Sequence, residues 1–231
     1  MSSDWGLDET AFAGPEHLDA DYIAGYEAKA QYDPAPDVAA LLEAGVGSDS
    51  TVVDLGAGTG VFTRAIAPRV AGVIAVDVSP AMVDVLAERV ATAGLTNVTT
   101  VRAGFTSYEH DGRPADAVFT RNALHQLPDF WKGIALARIH DALQPGGVLR
   151  LLDLVYDFDP ADAPARLVEW MAGAVGDPAR GYTAEEFAMH VRTEFGTYRW
   201  LLEPLLAHTG FDIDEVDFRA GIYATYTCHR R

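Results

Sequence analysis

The sequence predicts an α/β fold: a doubly wound sheet of about seven strands, mostly parallel, with helices on both faces and an antiparallel C-terminal hairpin. Three observations carry this. Short β-branched runs alternate with helical stretches between residues 51 and 155, the pattern of a parallel sheet covered on both sides. A glycine-rich turn joins the first of these runs to the first of these helices. The last two strand-like runs, Phe211 to Phe218 and Ile222 to His229, are separated only by Arg219-Ala220-Gly221. A parallel crossover needs a dozen or more residues, so these two must pair antiparallel.

Taken in order, residues 16–31 are expected to form a helix carrying Tyr22, Ile23 and Tyr26, and a second helix is expected from Pro36 to Ala44. Thr51 to Leu55 reads as a buried strand, Gly56 to Gly60 as a turn, and Val61 to Val70 as a helix. Gly72 to Asp77 is the next strand. Ser79-Pro80 then supplies an N-cap and a first helical residue for a helix running to about Ala93. Val98 to Arg102 and Asp116 to Thr120 are further strands. Phe130 to Leu143 is helical, Pro145-Gly146-Gly147 breaks it, and Val148 to Val155 is the fifth strand. A last helix is expected at 199–208. The whole chain reads as one domain: an N-terminal helical lid (1–47), a core (48–155), an insert (156–200), and a C-terminal helix and hairpin (201–231).

The 231 residues are 49% hydrophobic and 22% charged, an ordinary globular mix that excludes a disordered or disulfide-framework protein. Acidic residues number 34 against 17 basic, for a net charge of −17. A field of that sign disfavours DNA or RNA as a partner. The only lysines are Lys29 and Lys132; the other basic residues are Arg. Cys228 is the sole cysteine and reads as a strand residue. Met1-Ser2-Ser3-Asp4-Trp5 lacks the basic start and apolar run of a signal peptide, and no apolar run reaches the ~18–20 residues that span a bilayer. The expectation is a cytoplasmic protein with no membrane partner. His17, His110, His140, His208 and His229 show no ligand spacing with Cys or acids, so no metal site is expected.

Chemistry concentrates in Val53-Asp54-Leu55-Gly56-Ala57-Gly58-Thr59-Gly60. Glycines between strand and helix let a ligand lie directly against the backbone, and the helix start beyond offers N–H groups. A dinucleotide site wants G-x-G-x-x-G; here the spacing is G-x-G-x-G, with Val61 where the third glycine of that motif would stand. Asp54, an acid ahead of the glycines, suits a cationic or hydrogen-bond-donating ligand better than a pyrophosphate. Asp77, ending the second strand, has the spacing of a carboxylate that grips ribose hydroxyls.

At these residues the chain resembles the class I S-adenosylmethionine-dependent methyltransferases, whose sheet is Rossmann-like. Four segments carry the resemblance, in order: the glycine stretch, Ile74 to Met82, Asp116 to Leu127, and Leu143 to Leu149. It implies S-adenosyl-L-methionine as cofactor and methyl transfer to a small-molecule acceptor. It also implies roles. Gly56, Ala57 and Gly58 would lie against the methionine portion, with Asp54 near its ammonium and Gly60 also in the cofactor site. Asp77 would accept both ribose hydroxyls, and Val78 and Met82 would enclose the adenine. Backbone near Arg121 and Asn122 would approach the methionine amino group. Tyr26 and Tyr32 would act as lids. One departure stands out. The family often carries Gly-Asp after the third strand, where the acid accepts the adenine amino group. Here the run is Ala103-Gly104-Phe105, so adenine recognition is expected from backbone groups of Gly104 and Phe105, from Thr106, or from stacking.

In-line transfer needs a base only for a protonated nucleophile. His125 is the first candidate, then His190 or Tyr198. Trp170, Tyr182 and Phe195 in the insert are candidates for an acceptor pocket. Arg121-Asn122-Ala123-Leu124 stands where an adenine-amino methyltransferase carries Asn/Asp-Pro-Pro-aromatic, and no cysteine lies near the site. Both points disfavour DNA bases as acceptors. A non-catalytic S-adenosylmethionine-binding module and a nicotinamide-dependent oxidoreductase are the alternatives, the second opposed by the glycine spacing.

Overall fold

A computed structural model of the chain describes residues 5–18, 20–178 and 180–231; the N-terminal run Met1 to Asp4 lies outside them. The elements in order are α1 (Ala20–Ala30), α2 (Ala35–Glu43), β1 (Thr51–Leu55), α3 (Val61–Ile66), β2 (Gly72–Asp77), α4 (Pro80–Thr92), β3 (Val98–Arg102) and β4 (Ala115–Arg121). They continue with α5 (Asp129–Ala142), β5 (Leu143–Tyr156), α6 (Ala163–Met171), α7 (Ala184–Thr193), β6 (Thr197–Tyr198), α8 (Arg199–His208), β7 (Phe211–Arg219) and β8 (Tyr223–Arg230). The main sheet runs β3-β2-β1-β4-β5-β8-β7, and β6 pairs with the end of β5. The first five strands are parallel, β8 runs against β5, and β7 against β8, so the hairpin is present as expected.

Alternation along the strands builds the core on both faces. Val53, Val118, Leu149 and Leu151 point to one side, where they meet Leu136 and Ile139 of α5 and Leu202 and Leu206 of α8. Val52, Ala117, Phe119 and Val148 point to the other side, where they meet Leu41 of α2 and Phe62 and Ile66 of α3. The Phe62 and Phe119 rings stack with centroids 3.6 Å apart, docking α3 on β4. Cys228 is buried in β8, and burial pushes its thiol up to about 12.

Local chemistry sets most boundaries. Ser79 Oγ accepts the Met82 N–H at 3.2 Å and caps α4, with Pro80 in its first turn. The expected helix to Val70 stops as α-helix at Ile66, because Pro68 tightens the last turn into a 3-10 turn over Ala67–Arg69. Strand β5 starts earlier than Val148: Ala115 pairs with Leu143 and Ala117 with Val148, so residues 144–147 form an irregularity within the strand. The first helix is shorter than expected: Pro15–Leu18 is a separate 3-10 turn and α1 begins at Ala20. The insert holds α6 and α7, the latter opened by a full capping box of Thr183 and Glu186.

The two flanks meet above the sheet's C-terminal edge. Lys29 of α1 pairs with Glu186 of α7, and the Gln31 amide donates to the Arg180 carbonyl at 3.1 Å. Among the described residues, no helix is long and apolar enough to cross a membrane.

Candidate functional site

The strand ends of β1, β2 and β4 bring the predicted residues together. The glycine turn folds back on β2, with the Gly56 and Ala57 N–H groups both donating to the Val76 carbonyl at 2.9 and 3.0 Å. Gly56 has φ +73°, and a Cβ there would stand 2.5 Å from that of Ala123. Gly58 has φ +54° and open space where its Cβ would be, so a ligand can rest against the main chain. Gly60 has φ +80°, and a Cβ there would lie 3.0 Å from Leu86 Cγ, so glycine at this position lets the start of α3 pack close to α4.

Two carboxylates flank this turn. Asp54 is buried and accepts the Thr63 hydroxyl at 2.5 Å. Burial and the nearby Asp77 charge raise its pKa to about 7, with the Thr63 bond opposing. Asp77 accepts the Gly58 N–H at 2.8 Å on one oxygen and the Ser79 N–H at 2.9 Å on the other. Burial raises its pKa too, and those two N–H groups hold it back. Each Asp77 oxygen therefore keeps a lone pair for a further donor.

A cleft of about 710 Å³, including its open mouth, runs along the far side of Gly58. Asp77, Val78, Met82, Gly104, Phe105 and Arg121 are among the residues lining it. A second cleft on the near side of the turn is lined by Tyr32, Asp54, Ala57 and again Gly58 and Arg121. Tyr26 borders both. Arg121 stacks its guanidinium 4.0 Å over the Tyr32 ring, whose hydroxyl donates to Asp37 at 2.8 Å. Asn122 adopts φ +49°, a left-handed conformation uncommon outside glycine, and its N–H is committed to the Leu152 carbonyl at 2.8 Å. That turn aims the chain after β4 across the cleft. The Thr106 N–H is not available to a ligand, since it donates to Glu9 at 2.9 Å.

The other side of the site is ionic. His125 Nδ1 lies 2.5 Å from Asp153 Oδ1, and Nε2 lies 3.2 Å from Glu194 Oε2. Burial alone would lower the pKa of this ring, but the two carboxylates outweigh it and bring it to about 10. His125 is thus a clamped cation with both nitrogens engaged, not a ring free to take a proton from an acceptor. His190 Nδ1 contacts the second Glu194 oxygen at 2.6 Å. Burial opposes ionisation of Glu194, yet the two histidines hold its carboxyl well below the usual range.

Tyr182, His190, Glu194 and Phe195 line a cavity beneath α7, and His125, His190, Tyr182 and Asn122 line a smaller one beside it. Trp170 stands behind these, 4.5 Å from the Phe187 ring and 5.9 Å from that of Tyr223. Tyr198 is set apart by β6 pairing: its ring packs on Tyr156, Phe158 and Trp200. It is not among the residues lining the clefts described above.

Three acids escape a reading of the sequence. Glu27 of α1 accepts from the Thr59 hydroxyl and Arg64, both at 2.8 Å, and pairs with Arg89, pinning the lid over the glycine turn. Glu194 joins the two histidines, and Glu9 enters the cleft from the N-terminal segment. Only the His190/Glu194 spacing of four on one helical face was a local signal.

Residues 52–147 match the family model of a methyltransferase domain. An uncharacterized methyltransferase of Oceanobacillus iheyensis is 27% identical over 110 residues, which is 48% of this chain and 49% of that protein. The chain thus matches about half the length of that curated relative. Among solved structures, an S-adenosylmethionine-dependent methyltransferase from Aquifex aeolicus superposes with a TM-score of 0.60 at 18% identity, covering 98% of this chain and 100% of that one. A magnesium protoporphyrin IX methyltransferase from Synechocystis PCC 6803, with bound S-adenosylmethionine, gives 0.67 at 14% identity, covering 99% and 100%. At these identities the likeness is one of fold. Residues 52–147 are thus similar to a methyltransferase domain, and the chain shares the fold of S-adenosylmethionine-dependent methyltransferases.

Proposed function

We propose that the chain transfers a methyl group from S-adenosylmethionine to a small-molecule acceptor. The observation that carries this is Asp77 at the end of β2, facing an apolar cleft from beside the glycine turn of β1. When bound, the cofactor would supply a methyl group already activated on a sulfonium. Asp77 would hold the ribose hydroxyls. The open backbone at Gly58, with Asp54 beneath the turn, would hold the methionine end, and Tyr26, Tyr32 and Arg121 would close over it. This chain's work is then alignment and exclusion of water.

A small acceptor is supported by the pair of adjoining clefts under α7 and by the charge of −17, which opposes nucleic acid. Tyr182 and Phe195 would shape that pocket, with Trp170 as backing. Where the acceptor is a hydroxyl, His190 is the base, oriented by Glu194 at 2.6 Å; His125 is the fixed cation that orients Glu194.

Calorimetric titration with S-adenosylmethionine, S-adenosylhomocysteine and NAD tests the cofactor. Tight NAD binding without binding of the methyl donor overturns the reading. Conversion of donor to S-adenosylhomocysteine across an acceptor panel separates an enzyme from a binding module. For a hydroxyl acceptor, His190→Asn should lower kcat about 100-fold or more while leaving donor affinity unchanged.

A further inference from the structure

The cleft beside Asp77 contains an acid that its own strands do not supply. Glu9, on the 3-10 turn Glu9–Phe12, is 7% exposed and lines the cleft with Val78, Met82 and Phe105. Its Oε1 accepts the Thr106 N–H at 2.9 Å and its Oε2 the Ser107 hydroxyl at 2.8 Å. A carboxylate has about four acceptor positions, so two remain. Buried acceptors are rarely left without donors. Gly104 explains how Glu9 reaches this place. A Cβ at 104 would stand 2.5 Å from the Glu9 carboxyl carbon and from one of its oxygens. Gly104 is outside the left-handed region, so it is this contact, rather than backbone conformation, that calls for glycine. The loop after β3 gives up its side chain, and the carboxylate of a segment almost a hundred residues away takes the space.

We propose that Glu9 reads the 6-amino group of the adenine ring. The inference rests on the methyl-donor reading above. With the ribose fixed at Asp77, the base lies along Val78, Met82 and Phe105, and its edge meets Glu9. An acceptor-only carboxylate pairs with a donor at that edge and repels a carbonyl there. The N-terminal segment is then part of the nucleoside site, and it selects 6-amino over 6-oxo purines.

The test is calorimetric binding of S-adenosylhomocysteine and its 6-oxo counterpart, S-inosylhomocysteine, to the full chain and to Glu9→Gln and Glu9→Ala. The native chain should favour the adenosyl ligand by about 10-fold or more, the range of one hydrogen bond to a charged group. Glu9→Gln, whose amide donates as well as accepts, should bring the ratio near one. Glu9→Ala should bring it near one with weaker binding of both. The ratio within each variant is the deciding quantity, because a merely loosened N-terminal segment weakens both ligands alike and leaves it unmoved. A ratio that stays at the native value in both variants, with S-adenosylhomocysteine still bound by the native chain, overturns the role of Glu9 alone. Failure of the native chain to bind either ligand overturns the methyl-donor reading, and this inference with it.

Discussion

The two sides of the site are built on opposite principles. On the glycine-turn side, charge is solvated by nearby backbone: Asp77 takes N–H groups from Gly58 and Ser79, and Asp54 a hydroxyl from Thr63. Both carboxylates are raised by burial and wait for a ligand's donors or positive charge. Under α7, charge is solvated by opposite charge: His125 sits between Asp153 and Glu194, and Glu194 also holds His190. The first side is left incomplete without a ligand; the second is already paired within the protein. A site that binds a cation should look like the first, and one that positions a base like the second.

Removing a partner from the paired side breaks the comparison most severely. Glu194→Ala leaves buried His125 and half-buried His190 each short of a carboxylate. Stripping one member from a buried ion pair costs about 3–5 kcal/mol. Chemical denaturation should show that loss. A Glu194→Ala protein as stable as the parent would mean that the cluster is not ionic.

Next in size is Asp77→Ala, which should weaken S-adenosylhomocysteine binding about 100-fold in calorimetry, since two charge-assisted hydrogen bonds are lost. Stability should move far less, because Gly58 and Ser79 N–H groups can turn to water in the open cleft. A large stability loss with unchanged affinity would reverse the roles assigned to the two sides.

These contrasts also show what a sequence can disclose. Partners on the glycine-turn side are close along the chain: Asp77 to Ser79 spans two residues, Asp54 to Thr63 nine and Gly58 to Asp77 nineteen. Strand, turn and helix periodicity place such residues without knowledge of tertiary packing, so the strands and these residues were legible, while Glu27 and Glu9, which reach Thr59 and Thr106 from 32 and 97 positions away, were not. The ionic side joins residues 28 and 69 positions apart, from the turn after β4, the end of β5 and the C-terminal cap of α7. No local pattern announces Glu194 as the third member, and without it His125 reads as a free base. The two-residue strand β6, which sets the Tyr198 ring against Tyr156 and Trp200, has no local sequence signal either. Gly60 follows the motif's spacing, while the room it leaves for Leu86 on the neighbouring helix shows only in the fold.

The pH dependence of stability sharpens the comparison further. The folded pKa of His125, about 10, lies above its ordinary value of 6.5. Its pairing therefore contributes fully below pH 6.5 and is lost as pH rises towards 10. Asp54 works in the same direction by another route. Its folded pKa of about 7 lies above the ordinary 3.8, so its burial costs stability increasingly from about pH 4 to pH 7 and by a constant amount above that. The ligand-free protein should thus lose stability from about pH 4 to pH 7 through Asp54 and on towards pH 10 through His125. His125→Gln should flatten the upper part of that slope.

The smallest expected effect is also the most discriminating. Asp54→Asn removes a buried charge that burial and Asp77 disfavour, while an amide oxygen can still accept from Thr63. At pH 8 the ligand-free variant should be as stable as the parent or melt higher by a few degrees, about 2–4 °C per kcal/mol for a chain of this size. Towards pH 4, the ordinary carboxylate pKa, that advantage should vanish, because Asp54 is then protonated in both the folded and the unfolded chain. Donor affinity should fall at pH 8 in the same variant, because the negative charge facing the methionine end is gone. Stability gained and affinity lost by one substitution is the mark of a charge kept for a ligand. The corresponding neutralisation under α7, Glu194→Gln, should lose stability at both pH values, because its charge is kept for the fold.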